Sequence, residues 1–220
     1  MSKDIIHVYL MPGLAASPKI FEYLKLSEEQ FEMHYLEWII PELNESISDY
    51  AMRMTKIIKH ENIVLLGVSF GGIIVQEMSK HINLRKLIVV SSVKTKYELP
   101  KRMKFIKITR AYKLLPAKLL SNIDVLIKYA FGEMAIKRIE LYKKYLAIND
   151  INYMKWAIKN MICWEQNEIL PETIHIHGDK DAVFPISHIQ NCIIVKDGTH
   201  IMILNKFRWF NENLPSLILT

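Results

Sequence analysis

Cysteine is scarce. Cys163 and Cys192 are the two in 220 residues, too few for a disulfide framework and not at metal-ligand spacing. A reducing, cytoplasmic setting is the expectation. Long apolar runs are missing as well: half of the residues are hydrophobic, yet no run nears the 18 or so of a membrane-spanning helix. The N-terminal MSKDIIHVYLMPGLAAS carries the lysine, apolar stretch and small-residue tail of a secretory signal. Asp4, His7 and Pro12-Gly13 interrupt that pattern, and the segment reads instead as a strand and its loop. Glycine occupies seven positions. None of them forms Gly-x-Gly-x-x-Gly or a Walker-type Gly-Lys-Ser/Thr, which argues against the familiar dinucleotide and P-loop sites. There are no internal repeats and no low-complexity segments, so the 25.8 kDa chain suits one domain with a sizeable core.

What is there centres on Asn62 to Ile82, NIVLLGVSFGGIIVQEMSKHI. Ile63 to Leu66 form a short apolar run that ends at glycine, as a parallel strand covered on both faces would. A helix follows, with Ile74, Met78 and Ile82 four apart and Ile73 and Val75 widening its apolar face. Between them lies Gly67-Val68-Ser69-Phe70-Gly71-Gly72, the Gly-x-Ser-x-Gly pattern of a nucleophile elbow. Such a turn forces the serine into a strained backbone conformation and needs small neighbours on both sides. Chance alone would produce the pattern roughly once in fifteen chains of this length, so by itself it is weak. Its weight comes from distribution: three of the seven glycines sit in this one turn, and Gly13, Gly178 and Gly198 each follow a strand-like run. The Phe70 amide would open the following helix, where unpaired N–H groups and the helix dipole favour a developing negative charge.

In chain order, Asp4 to Leu10 reads as the first strand, and Ser17-Pro18 starts a short helix through Leu24. Phe31 to Ile39 is a second strand. Ser46 or Ser48 caps a helix running to His60, with Ile47, Tyr50, Met54, Ile57 and Ile58 on its inner face. The elbow strand comes next, then Lys86 to Val90 as a fourth strand closing on Ser91-Ser92. After a long helical stretch, Thr173 to His177 and Asn191 to Val195 are strands, and His200 to Asn213 is a closing helix. This alternation predicts an α/β fold with a mostly parallel sheet of about six strands flanked by helices.

The stretch from 97 to 165 departs from the alternation. It reads as an inserted helical cap, punctuated at Leu99-Pro100, Leu115-Pro116 and Phe131-Gly132, with core sequence at 1–96 and 166–220. Charge is uneven in the same place. Lys94 to Glu165 holds sixteen Lys/Arg against six Asp/Glu, within a net charge of +6. A basic run of Lys94, Lys96, Lys101, Arg102, Lys104, Lys107, Arg110, Lys113 and Lys118 is relieved only by Glu98. It reads either as a solvated face or as a surface for an acidic partner. No nucleic-acid-binding motif accompanies it.

Two later segments complete a pattern. The strand after the cap runs into His177-Gly178-Asp179-Lys180-Asp181-Ala182-Val183-Phe184-Pro185, and the last strand runs into Lys196-Asp197-Gly198-Thr199-His200. With the elbow, these resemble the α/β-hydrolase superfamily, in its serine hydrolase branch, over residues 4–93 and 172–212. The resemblance implies Ser69 as nucleophile, Asp181 as acid and His200 as base. It also implies an oxyanion hole from the Phe70 and Leu14 amides, with no metal or organic cofactor. Asp179 is the rival acid and reads as a turn residue. His175 and His177 read as structural histidines on the strand that carries the acid; His188 lies before the last strand; His7, His34, His60 and His81 hold ordinary strand or helix-end positions. Glu77 reads as a solvated or salt-bridged residue, and Ser91 and Ser92 as strand-end residues. Two features depart from the family: Pro12-Gly13 replaces the usual His-Gly of the oxyanion loop, and the chain begins on the strand that is usually third.

The implied activity is hydrolysis of a carboxylic ester or thioester through an acyl-serine, with similarity to small carboxylesterases and acyl-carrier-protein methylesterases. The helical cap would bury an acyl chain, and its basic face would suit an acyl carrier protein, a coenzyme A thioester or an anionic ester. Two other readings stay open: a non-catalytic ligand receptor or interaction protein on the same fold, and a triad-bearing lyase or haloperoxidase.

Overall fold

A computed structural model describes residues 5–114 and 144–220. Six strands form one sheet in the order β2-β1-β3-β4-β5-β6, with every neighbouring pair parallel. They are β1 (Ile6–Met11), β2 (Phe31–Tyr35), β3 (Ile63–Val68), β4 (Lys86–Val90), β5 (Thr173–Gly178) and β6 (Ile193–Val195). Every residue of β3 is buried, as its unbroken IVLLGV run requires of a strand covered on both faces. The edge strand β2 is buried only at Phe31, and β6 is three residues long.

Helices cover both faces. On one side α1 (Ile47–Thr55), α2 (Phe70–Met78) and α4 (Ile151–Ile162) enclose a cluster that includes Tyr50, Met54, Ile74, Tyr153 and Trp164. On the other, a short 3-10 turn at Pro18–Phe21, α5 (Met202–Asn205) and α6 (Phe207–Leu219) cover Val8, Leu66, Ile88 and Ile176. The remaining α-helix among the described residues, α3 (Lys101–Thr109), follows β4 and a short turn. No helix among the described residues is long and apolar enough to cross a membrane.

Several boundaries differ from the expectation. The helix capped by Ser46, whose Oγ accepts from the Asp49 amide at 3.1 Å, stops at Thr55 rather than His60. Tight i to i−3 turns follow, Ile57 to Met54 and Ile58 to Thr55, as the chain bends toward β3. Ile57 is therefore exposed, not on the inner face. The strand expected to reach Ile39 ends at Tyr35, after which Leu36 and Trp38 turn into the core. The Ser17-Pro18 helix is a single 3-10 turn in which the Ser17 side chain forms no cap bond. The closing helix starts at Met202, leaving His200 in the loop before it, and its second part runs through Pro215 to Leu219. A proline interrupts a helix at substantial cost, but Phe210, Leu214 and Ile218, four apart and fully buried, seat this one against the sheet on both sides of the break.

Of the expected cap, residues 97–114 and 144–165 are described. Leu115-Pro116, Lys118 and Phe131-Gly132 lie outside the described residues, as does Asp4. Within the basic run Lys94 departs from both readings of a charged face, because it is buried. Its ammonium donates to the carbonyls of Gln190 at 2.5 Å and Asn191 at 3.0 Å, with Glu98 3.9 Å away. Glu98 in turn accepts from the Lys94 and Gln190 amides, at 2.6 and 3.1 Å. This buried pair ties the segment after β4 to the connection before β6. Lys96 and Lys107 both pair with Glu165.

Candidate active site

Parallel strands bring their C-terminal ends to one edge of the sheet, and the loops after β1, β3, β5 and β6 meet there. The loop after β3 is a single residue. Ser69 has φ 55° and ψ −122°, a conformation unfavourable for a residue with a side chain. It is held by Ser69 N–H to the Val90 carbonyl at 2.9 Å and by the Ser92 hydroxyl to the Ser69 carbonyl at 2.7 Å. The approach of strand and helix explains the glycines: a Cβ on Gly67 would strike the Gly71 backbone, and one on Gly71 would strike the Pro12 carbonyl. Gly178 and Gly198 are packed against each other in the same way, which sets the β5 and β6 loops side by side.

That packing brings Asp181 beneath His200. His200 Nδ1 lies 2.9 Å from Asp181 Oδ2, and His200 Nε2 lies 2.9 Å from Ser69 Oγ. With the carboxylate accepting, the Nδ1 position carries the proton, and Nε2 turns its lone pair to the hydroxyl. The other oxygen of Asp181 accepts from the Val183 and Phe184 amides at 2.8 and 2.9 Å. Burial pushes the Asp181 pKa up more than any other single influence. The His200 and His177 charges, the His200 hydrogen bond and the Phe184 amide together outweigh it and leave the carboxyl below its ordinary range. Its side chain has no exposure, against 11% for His200.

An apolar cavity of about 90 Å³ opens beside Ser69 and His200, walled by Leu14, Ile20, Leu146, Met154, Ile203 and Leu204 among others. Leu14 belongs to the loop after β1, and that loop is fixed from two distant places. Trp38 Nε1 donates to the Gly13 carbonyl at 2.8 Å, and the Ala15 amide donates to the Tyr153 hydroxyl at 3.2 Å. The Trp38 ring also stacks on Phe70 at 5.3 Å between centroids. Residues 145–147 run alongside the same loop, with Ser17 N–H to the Tyr145 carbonyl at 2.7 Å and Ala147 N–H to the Ala15 carbonyl at 2.9 Å.

Ser69, His200 and Asp181 thus meet, Leu14 lines the cavity, and Phe70 opens α2. Asp179 is exposed, and the carboxylate bonded to the imidazole is that of Asp181. His177 Nε2 donates to the Phe184 carbonyl at 2.8 Å and its Nδ1 faces His175 Nε2 at 3.1 Å, so these rings bond to each other and to the loop after β5 rather than to Ser69. Glu77 is buried rather than solvated, accepting from Trp164 Nε1 and Lys80 Nζ, each at 2.7 Å. Ser92 has a definite task at the elbow carbonyl. It, Trp38 and Tyr153 carry no motif, and their importance depends on pairings across 23, 25 and 138 residues.

No family model matches the chain, and no curated protein matches it. Solved structures do. An esterase from Exiguobacterium antarcticum superposes with a TM-score of 0.70 over 100% of this chain and 94% of its own, at 17% identity. A hydrolase from Pseudomonas aeruginosa PA01 gives 0.73 over 99% and 91%, at 13% identity. The chain has the α/β-hydrolase fold. Other α/β-hydrolase structures with the same architecture include a bromoperoxidase from Bacillus anthracis, with a TM-score of 0.62 over 99% of this chain and 93% of that one, at 15% identity. At these identities the likeness fixes the α/β-hydrolase architecture and leaves the chemistry to the site itself.

Proposed function

We propose that this protein is a serine hydrolase that cleaves a carboxylic ester or thioester through an acyl-serine intermediate, with Ser69, His200 and Asp181 as its triad. The observation that carries this reading is the unbroken hydrogen-bonded series from the Ser69 hydroxyl through both nitrogens of His200 to the buried Asp181 carboxylate. In the first step Ser69 Oγ attacks the substrate carbonyl carbon while His200 Nε2 takes the hydroxyl proton. Asp181 keeps the imidazole in the tautomer that can accept it and stabilises the imidazolium. The oxygen of the tetrahedral intermediate is received by the Phe70 and Leu14 amides, an oxyanion hole whose single donors are each worth about 3 to 4 kcal/mol of barrier. Collapse expels the alcohol or thiol, which takes the proton from His200. Water, deprotonated by the same nitrogen, then releases the acid and restores the serine.

The cavity beside Ser69 is apolar, which favours an apolar acyl group. An acidic carrier or coenzyme A as leaving group is the extension of this reading, through Lys101, Arg110 and Lys113 on the exposed surface of α3 and the turn after it. Short-chain p-nitrophenyl esters and thioesters test the main claim. Steady turnover by the wild type, lost in Ser69→Ala and in His200→Ala, is the expected result. Wild-type turnover no greater than that of Ser69→Ala points instead to a ligand receptor on the same fold. Carrier-bound thioesters hydrolysed no faster than small ones, with no response to added salt, would remove the acidic-partner extension alone.

A further inference from the structure

Three histidines that the proposed chemistry does not use gather at the opposite end of the sheet. The β1–β2 register pairs His7 with Glu32 and Tyr9 with His34. Residues two apart on a strand face the same side, so all four side chains share one face. His60, in the connection from α1 to β3, folds over them. Its ring stacks on His7 at 3.9 Å between centroids with 5° between planes, and on His34 at 4.6 Å.

We propose that His7, His34 and His60, together with Glu32, form a binding site for one zinc-class divalent transition-metal ion. His7 Nδ1 and His34 Nε2 face each other at 3.0 Å. The Glu32 carboxylate lies 3.4 Å from the first and 3.8 Å from the second. One nitrogen from each of the three rings falls within 4.8 Å of the others. Zinc bonds of about 2.0 to 2.1 Å in a tetrahedron place neighbouring ligand atoms about 3.3 Å apart, and the His7, His34 and Glu32 separations bracket that value. Three imidazoles and a carboxylate suit zinc, cobalt or nickel, whereas calcium and magnesium seek oxygen.

The surroundings also fit a ligand set. His60 Nδ1 lies 2.7 Å from the Tyr9 hydroxyl, which also accepts from the Lys59 amide at 3.2 Å. With Nδ1–H donated to that oxygen, His60 presents Nε2 to the ion, the outer hydrogen bond that orients a metal-bound histidine. His60 is partly exposed, so it can tilt out of its parallel stack to aim that nitrogen. His7 pairs with Ile63 at the start of β3, six residues before Ser69 and so roughly 20 Å from it at about 3.3 Å per residue. The ion would clip the edge strand β2 and the α1–β3 connection to β1, acting on stability and leaving ester chemistry untouched.

The test is zinc chloride titrated into the chelator-treated full chain, followed by calorimetry, with cobalt(II) added in parallel for its visible spectrum. The expected result is one ion per chain with micromolar or tighter affinity, a four-coordinate cobalt spectrum, and a zinc-dependent rise in melting temperature. Affinity falls at least about tenfold in Glu32→Gln and in His60→Ala, falls further in His34→Gln, and is unchanged in His200→Ala. No stoichiometric binding by the wild type overturns the proposal. So does binding that survives His60→Ala and His34→Gln, or that is lost in His200→Ala. Should His34→Gln fail to fold, the exposed Glu32 and the partly exposed His60 decide the outcome.

Discussion

Both ends of the sheet concentrate histidine, and the two sets differ in what each imidazole faces. At the C-terminal end His200 bridges the Ser69 hydroxyl and the Asp181 carboxylate, the latter fixed by the Val183 and Phe184 amides. At the N-terminal end His7, His34 and His60 face one another and an exposed Glu32. One imidazole with a defined donor and acceptor is a proton carrier; several whose lone pairs converge are a ligand set. A further pair, His175 and His177, is buried, bonded ring to ring and through His177 to the Phe184 carbonyl, and is neither.

The comparison can be broken by substitution. Ser69→Ala or His200→Ala should lower kcat by about five to six orders of magnitude, measured with a short-chain ester, while leaving the melting temperature nearly unchanged. Asp181→Asn should cost about 10⁴-fold in kcat, because the amide can still accept from Val183 and Phe184 but no longer holds the imidazole in its productive tautomer. None of these should follow from His60→Ala, whose esterase rate should match the wild type within twofold or so; a large loss there would erase the distinction between the two ends. Smaller effects belong to the residues that fix the loop after β1. Trp38→Phe removes the donor to Gly13, and Tyr153→Phe removes the acceptor of the Ala15 amide. Each bond is worth about 1 kcal/mol, so kcat should fall roughly fivefold with little change in KM.

The buried pair supplies a pH test. Burial above all, then the neighbouring His177 and Lys94, hold His175 well below its ordinary value of 6.5, and burial also lowers His177. The unfolded chain then binds more protons than the folded one as pH falls through 6.5, so these residues favour folding fully above that value and progressively less below it. The urea midpoint should therefore be flat above about pH 7 and decline from about pH 6.5 downward. The decline should be shallower in His175→Gln. Asp181, whose pKa is lowered from 3.8, adds its own loss only at still lower pH.

How much of this could be read from the chain depended on the range of the interaction. The elbow was legible because Gly67, Ser69 and Gly71 act within five residues and their backbone demands are specific to residue type. The sheet was legible from its apolar runs, and so was its parallel sense from the alternation. Strand and helix ends were less so, since burial of Phe210, Leu214 and Ile218 overrode Pro215, and the bend toward β3 cut α1 short at Thr55. Lys94 looked like one charge in a basic run until the fold placed carbonyls around it. His7, His34 and His60 each looked ordinary alone. Their convergence depends on the β1–β2 register and on a connection 26 residues beyond His34, neither of which any single motif records.

The central claim is that Ser69 is an activated nucleophile. A fluorophosphonate added to the native protein, followed by intact mass and peptide mapping, tests this most directly. One phosphonyl group on the peptide containing Ser69, with labelling suppressed in His200→Ala, is the result the account predicts. An unmodified Ser69, in a chain whose circular dichroism shows it folded, would contradict it.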